Sequence, residues 1–167
     1  MNLNLLNNLS VLDLTERLPG PYSTFILQDL GAKVIKVENL DRGGDTFNSQ
    51  EAKERYPNFI DWYESLNEGK DICHISFSAE KEKIKELIHN AEIIIAPKNS
   101  FFLKLFSDIQ IKKAQVLIWL AGGKDEFKNL HDLNALALTK TFKTHLEQNT
   151  NLPYLPFAGM GFGQYIA

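Results

Sequence analysis

Short apolar runs alternate along the chain with stretches in which apolar residues recur every three or four positions. Val11-Leu12-Asp13-Leu14-Thr15 predicts a buried strand, closed by the turn signal Leu18-Pro19-Gly20-Pro21. Tyr22, Phe25, Ile26 and Leu30 then return at helical spacing, and Gly31 ends the pattern. Lys33–Glu38 reads as a second strand. The stretch Asn39–Gln50 reads as a loop, with Gly43 and Gly44 giving backbone freedom beside Asp41, Arg42 and Asp45. From Pro57 to Leu66, the residues Phe59, Ile60, Tyr63 and Leu66 share one helical face.

The second half keeps the rhythm. Ile72–Phe77 predicts a third strand, and Ser78 reads as the cap of an amphipathic helix over Ala79–Asn90, with Ile84, Leu87 and Ile88 facing inward. Glu92–Ala96 is a fourth strand, Ser100–Phe106 a short helix and Gln115–Leu120 a fifth strand. After Gly122-Gly123 a long helical pattern covers about Leu130–Glu147. Strands alternating with helices pair in parallel through crossovers, so the expected class is α/β: a mostly parallel sheet of about five or six strands with helices on both faces.

Composition narrows the function classes. The chain has 167 residues, 44% hydrophobic and 23% charged, which fits one soluble domain. A net charge of −3 argues against a nucleic-acid partner, because neutralising phosphates needs clustered cations. The one cysteine, Cys73, excludes an internal disulfide and any zinc site built on several thiolates, and no metal is expected. The longest apolar runs, such as Ile93–Ala96, are too short to span a bilayer. The start of the chain lacks the cationic opening and cleavage site of a signal peptide, so the expected location is the cytoplasm, with no membrane partner.

In an open parallel sheet, ligands bind where the loops gather at the carboxyl ends of the strands. Those loops are Glu16–Pro21, Asn39–Gln50, Pro97–Ser100 and Ala121–Asn129. Neither G-x-G-x-x-G nor a Walker-type phosphate loop follows the first strand. Gly159-Met160-Gly161-Phe162-Gly163 lacks a strand-to-helix context and reads as a flexible or packing loop. His74, His89 and His145 fit structural or solvent roles. His131 follows a glycine-rich loop and stands beside Asp132, which leaves a capping role and an acid–base role both open.

Several blocks together resemble the class III CoA-transferases and the alpha-methylacyl-CoA racemases related to them. These blocks are Val11–Thr15, Leu18-Pro19-Gly20-Pro21-Tyr22 and the run Asp29-Leu30-Gly31-Ala32-Lys33-Val34-Ile35-Lys36-Val37-Glu38. Gly44-Asp45 resembles the family's Gly-Gly-Asp turn, and Asn67-Glu68-Gly69-Lys70 its Asn-x-Gly-Lys segment. His131–Thr139 is similar to the helix start of the racemase branch, and Pro153-Tyr154-Leu155-Pro156 to the approach to the catalytic loop.

The resemblance implies a Rossmann-like domain over 1–150, a Pro/Gly-rich segment over 151–167, and coenzyme A or an acyl-CoA as ligand rather than a tightly bound cofactor. It places Glu38, Asn39, Gly44 and Asp45 toward the nucleotide. Lys70 and Lys98 would meet phosphates as point charges, the alternative being solvated surface lysines. The family's Asn-Phe-Arg-Pro-Gly loop is here Pro97-Lys98-Asn99-Ser100, and Thr46-Phe47-Asn48 stands where an arginine follows the Gly-Asp turn.

Family transferases use an aspartate nucleophile, which racemases pair with a histidine. The aspartate's position falls near Phe162, and no Asp or Glu occurs after Glu147; His131 matches the racemase histidine as a candidate catalytic acid/base. Family members are more than twice as long. Three readings follow: a reduced homologue that binds CoA, acyl-CoA or a partner chain with catalysis impaired; an active subunit of a split transferase or racemase completed by a partner; or a protein- or carrier-protein-interaction module. A homodimer or a partner subunit supplying the remaining half belongs to these expectations.

Overall fold

The computed structural model describes residues 4–56 and 58–121. Five strands, β1 (Ser10–Asp13), β2 (Lys33–Asn39), β3 (Asp71–Ile75), β4 (Ile93–Pro97) and β5 (Val116–Leu120), form one sheet in the order β3-β2-β1-β4-β5. All four pairings are parallel: Leu12 lies opposite Ile35 on one side and Ile94 on the other, Val37 opposite Cys73, and Ile95 opposite Ile118. Helices α1 (Pro19–Asp29), α2 (Gln50–Arg55), α3 (Asn58–Asn67), α4 (Lys81–Asn90) and α5 (Ser100–Ser107) fill the connections.

Strand periodicity sorts the residues onto two faces. Leu12, Leu14, Val37, Ile75, Ile94 and Ala96 pack with Ile84 and Ile88 of α4 and Phe102 and Phe106 of α5. On the opposite face the apolar patch is small: Val11, Ala32, Val34 and Ile95, with Leu27 of α1 against them. The same strands that supply Val11 and Val34 supply Asp13 and Lys36 two residues further on, and both are fully buried. That face is therefore apolar at its amino end and ionic at its carboxyl end.

Every expected strand and helix in this region is present, with differences of detail. The strand predicted to reach Phe77 ends at Ile75. The following helix starts at Lys81, and Ser78 does not cap it; the Ser78 amide donates instead to the Asp41 carboxylate at 2.8 Å. The stretch read as the Asn39–Gln50 loop holds two single 3-10 turns, Leu40–Arg42 and Thr46–Asn48, capped by the side chains of Asn39 and Asp45. It then enters α2, capped by Ser49, a helix too short to leave a periodic signal.

The helical spacing of Tyr22, Phe25, Ile26 and Leu30 does not mark the buried face of α1. Gly20, Pro21 and Thr24 are its buried residues, while Tyr22 is 52% and Ile26 44% exposed. The stripe turns because the surface facing α1 at the carboxyl end is polar. No helix among the described residues is long and apolar enough to cross a membrane. The described elements lie in a compact unit, Met1–Leu120. The remainder of the expected 1–150 domain lies outside the described residues. So do the helical pattern over 130–147 with His131, and the 151–167 segment.

Candidate functional site

The strand order reverses at β1: α1 leads from β1 to β2 on one side, and β4 lies on the other. The crevice outside the carboxyl ends of β1 and β4 is thus the topological switch point, the ordinary ligand position in such sheets. The loop after β1 and Lys98 at the end of β4 flank it. Lys98 is exposed, and its backbone amide donates to the Leu120 carbonyl at 2.7 Å.

A closed ionic network underlies the β1 loop. Asp13, the last residue of β1, accepts from the Thr15 amide at 2.9 Å, from the Thr15 hydroxyl and from the Thr24 hydroxyl at 2.6 Å. The Lys70 ammonium stands 3.7 Å from Asp13 and donates its three protons to the Pro21 carbonyl (2.8 Å), the Thr24 hydroxyl (2.8 Å) and the Asn67 side-chain oxygen (3.0 Å). Lys36 donates to the Thr15 carbonyl at 2.8 Å and to Asp45 at 3.0 Å. Asp45 also accepts from the amides of Phe47 at 3.0 Å and Arg17 at 3.1 and 3.2 Å. Asp13, Lys36, Asp45 and Lys70 are two anions and two cations with side chains at most 1% exposed, so the cluster is neutral. Burial lowers the Lys70 pKa from 10.5 to about 8, with the Asp13 carboxylate opposing that shift.

A second cluster sits at the end of β2. Buried Glu38 accepts a hydrogen bond from the Tyr63 hydroxyl, and its other oxygen lies 3.6 Å from Nδ1 of exposed His74. Burial and the Glu38 contact push the Tyr63 phenol far above its ordinary pKa of 10.0. Gly44 closes this corner: its φ is +79°, and a Cβ there would meet Glu38 Oε2 at 2.7 Å. Asp41 fastens the Leu40–Arg42 turn to the segment after β3, accepting from the Ser76 hydroxyl at 2.6 Å, and its pKa is lowered chiefly by that bond.

Of the residues expected at the nucleotide, Glu38, Asn39, Asp45 and Lys70 are buried, Gly44 is half-buried and Lys98 is exposed. The surface position expected for Lys70 as an alternative is corrected, because its whole side chain is enclosed. Asp13, Thr15, Lys36, Thr24 and Tyr63 join the site without having been singled out from sequence. One signal was present: a lysine on a strand lying between two parallel neighbours is enclosed on both faces and must find an anion.

Residues 6–101 match the sequence profile of CoA-transferase family III. The chain belongs to that family. Succinyl-CoA:mesaconate CoA-transferase of Haloarcula marismortui is 34% identical over 96 residues, which is 54% of this chain and 24% of that protein. Human succinyl-CoA:glutarate CoA-transferase is 34% identical over 100 residues, 56% of this chain and 22% of the relative. The chain therefore covers less than a quarter of the length of these family III relatives. The same fold occurs in a CAIB/BAIF family protein from Brucella suis, with a TM-score of 0.66 and 21% identity over 82% of this chain and 39% of that one. Rv3272 from M. tuberculosis gives a TM-score of 0.63 and 23% identity, covering 89% of this chain and 40% of its own. The matched segment contains β1 to β4 and both ionic clusters.

Proposed function

We propose that this family III chain binds CoA thioesters at the carboxyl edge of the sheet, with acyl transfer impaired. The observation that carries the reading is the coincidence of the family match with the switch-point crevice, since residues 6–101 build both of its walls. In this reading Lys98 contacts the ligand, and Gly44 lets the Asn39–Asp45 turn come close to it. Glu38, Asn39, Asp45 and Lys70 act from below, holding the loops by the bonds described above. Phe162 stands near the position that the resemblance gives to the family's nucleophilic aspartate. A phenyl ring offers no oxygen for an anhydride, which favours binding over transfer. The names of the relatives support a CoA thioester as the ligand class.

Isothermal titration of the full chain with CoA, acetyl-CoA and succinyl-CoA tests this, with saturable heat as the expected result. No heat at millimolar ligand removes the proposal. The resemblance of His131–Thr139 to the racemase helix start favours a second reading, an active subunit completed by a partner chain, with His131 exchanging the α-proton of a 2-methylacyl-CoA. Deuterium exchange that is identical in the wild type and His131→Ala rules that reading out.

A further inference from the structure

The loop after β1 contains a conformation that L residues avoid. Arg17 has φ +66°, a left-handed backbone that glycine adopts freely and that asparagine tolerates better than arginine. The conformation is imposed from below. Both oxygens of buried Asp45 accept from the Arg17 amide, and Asp45 is itself held by Lys36, whose side chain is 0% exposed. Two fully enclosed charges thus fix the backbone of one exposed arginine at the switch point. The Arg17 guanidinium makes no ion pair and no hydrogen bond among the described residues.

The neighbouring helix end adds an independent constraint. In nucleotide-binding sheets the amides at the start of the first helix cradle phosphates. Here Pro19 and Pro21 are two of the first three residues of α1 and have no N–H, and the Tyr22 amide is taken by the Leu18 carbonyl at 2.9 Å. Gly20 alone retains a free first-turn amide of this group. A helix start so depleted of donors leaves an anion to be held by side chains, and the strained residue beside it is an arginine, whose planar fork suits two oxygens at once.

We propose that Arg17 is the anion-reading residue of this crevice, its guanidinium gripping an anionic oxygen group, carboxylate or phosphate, of the bound ligand. The proposal rests on the CoA-thioester reading for the ligand's identity; the anion contact itself rests on the geometry of the turn. The Lys36–Asp45 pair then has a positioning role, holding the Arg17 backbone where the side chain is needed. Backbone strain of this kind persists where the surroundings over-determine it, commonly beside ligands.

The experiment compares the full chain with Arg17→Gly and Arg17→Lys by thermal melting and by titration with acetyl-CoA, succinyl-CoA and sodium pyrophosphate. Arg17→Gly is expected to melt at the wild-type temperature or above, because glycine relieves the left-handed residue. It is also expected to bind at least about tenfold more weakly, with Arg17→Lys in between. Equal loss for both thioesters assigns the contact to a CoA phosphate; loss confined to succinyl-CoA assigns it to the acyl carboxylate. Unchanged affinity for every probe in Arg17→Gly overturns the proposal, as does a lowered melting temperature with affinity intact. If the wild type binds neither thioester, the CoA reading fails, and pyrophosphate decides the matter alone. Wild-type binding lost in Arg17→Gly then sustains Arg17 as an anion site, and no wild-type binding overturns it.

Discussion

Lys70 is enclosed with all three of its protons donated to protein oxygens, and that burial has a pH signature. In the unfolded chain its pKa is the ordinary 10.5, and in the fold it is about 8, lowered first by desolvation. Between those values the unfolded state binds more protons, so stability rises with pH from about 8 toward 10.5; below 8 the cost of the buried charge is fully present. Tyr63 acts in the opposite sense: its raised folded pKa stabilises the fold below pH 10.0 and loses that effect above it. The informative window is therefore pH 8 to 10. The unfolding free energy of the wild type, measured by urea denaturation, is expected to climb across it, by at most about 1.4 kcal/mol per pH unit. Lys70→Met removes the climb, and a flat wild-type profile contradicts the assignment. None of this was legible from Asn67-Glu68-Gly69-Lys70, where an isolated lysine after a glycine looks like any surface charge. The partners Asp13, Pro21 and Thr24 lie more than forty residues away in sequence, and only the sheet brings them together.

At the scale of elements, the strands and helices were legible because each buries apolar residues at its own period: Ile93–Ala96 and the Ile84/Leu87/Ile88 stripe are examples. The inner face of α1 was not, because polar packing leaves no hydrophobic period; Thr24 faces inward while Tyr22 and Ile26 face out. The β1–α1 junction is held instead by close approach. A Cβ at Gly20 would stand 1.8 Å from the Thr15 hydroxyl oxygen, which is already bonded to Asp13. Gly20→Ala must therefore push Thr15 off Asp13 or move the helix, at a cost of about 1–3 kcal/mol. Gly43 is a matched control, since its φ is +83° but nothing lies within 4 Å of a Cβ there. Gly43→Ala carries backbone strain alone and is expected to cost about 1 kcal/mol. Chemical denaturation of the two variants orders them; a Gly20→Ala protein as stable as Gly43→Ala would show that the junction has slack.

At the scale of the molecule, Met1–Leu120 form a compact unit in which each face of the sheet has its own packed layer. A sheet of five parallel strands with α1 on one face and α4 and α5 on the other meets the layer requirement of an α/β domain. Its small second core is supplemented by the neutral ionic network, which ties β1, β2, α1 and the start of β3 together through Asp13, Lys36, Thr24 and Lys70. Breaking either ion pair from one side leaves a buried charge uncompensated, at about 3–5 kcal/mol, so the network couples these elements strongly. The two tryptophans report on separate parts of this unit. Trp62 lies on α3 against Phe47 and Phe59, and Trp119 lies on β5, edge-on to Phe106. A chain ending at Ala121 is expected to unfold in urea as one cooperative step, with the single-tryptophan variants Trp62→Phe and Trp119→Phe giving coincident midpoints. If Trp119 is released at lower urea than Trp62, β5 depends on residues beyond Ala121, and the folding unit extends past the sheet toward the expected boundary. If the two coincide, the sheet and its ionic network are sufficient to fold, and ligand titrations on the shorter chain isolate what the β1 loop and Lys98 contribute by themselves.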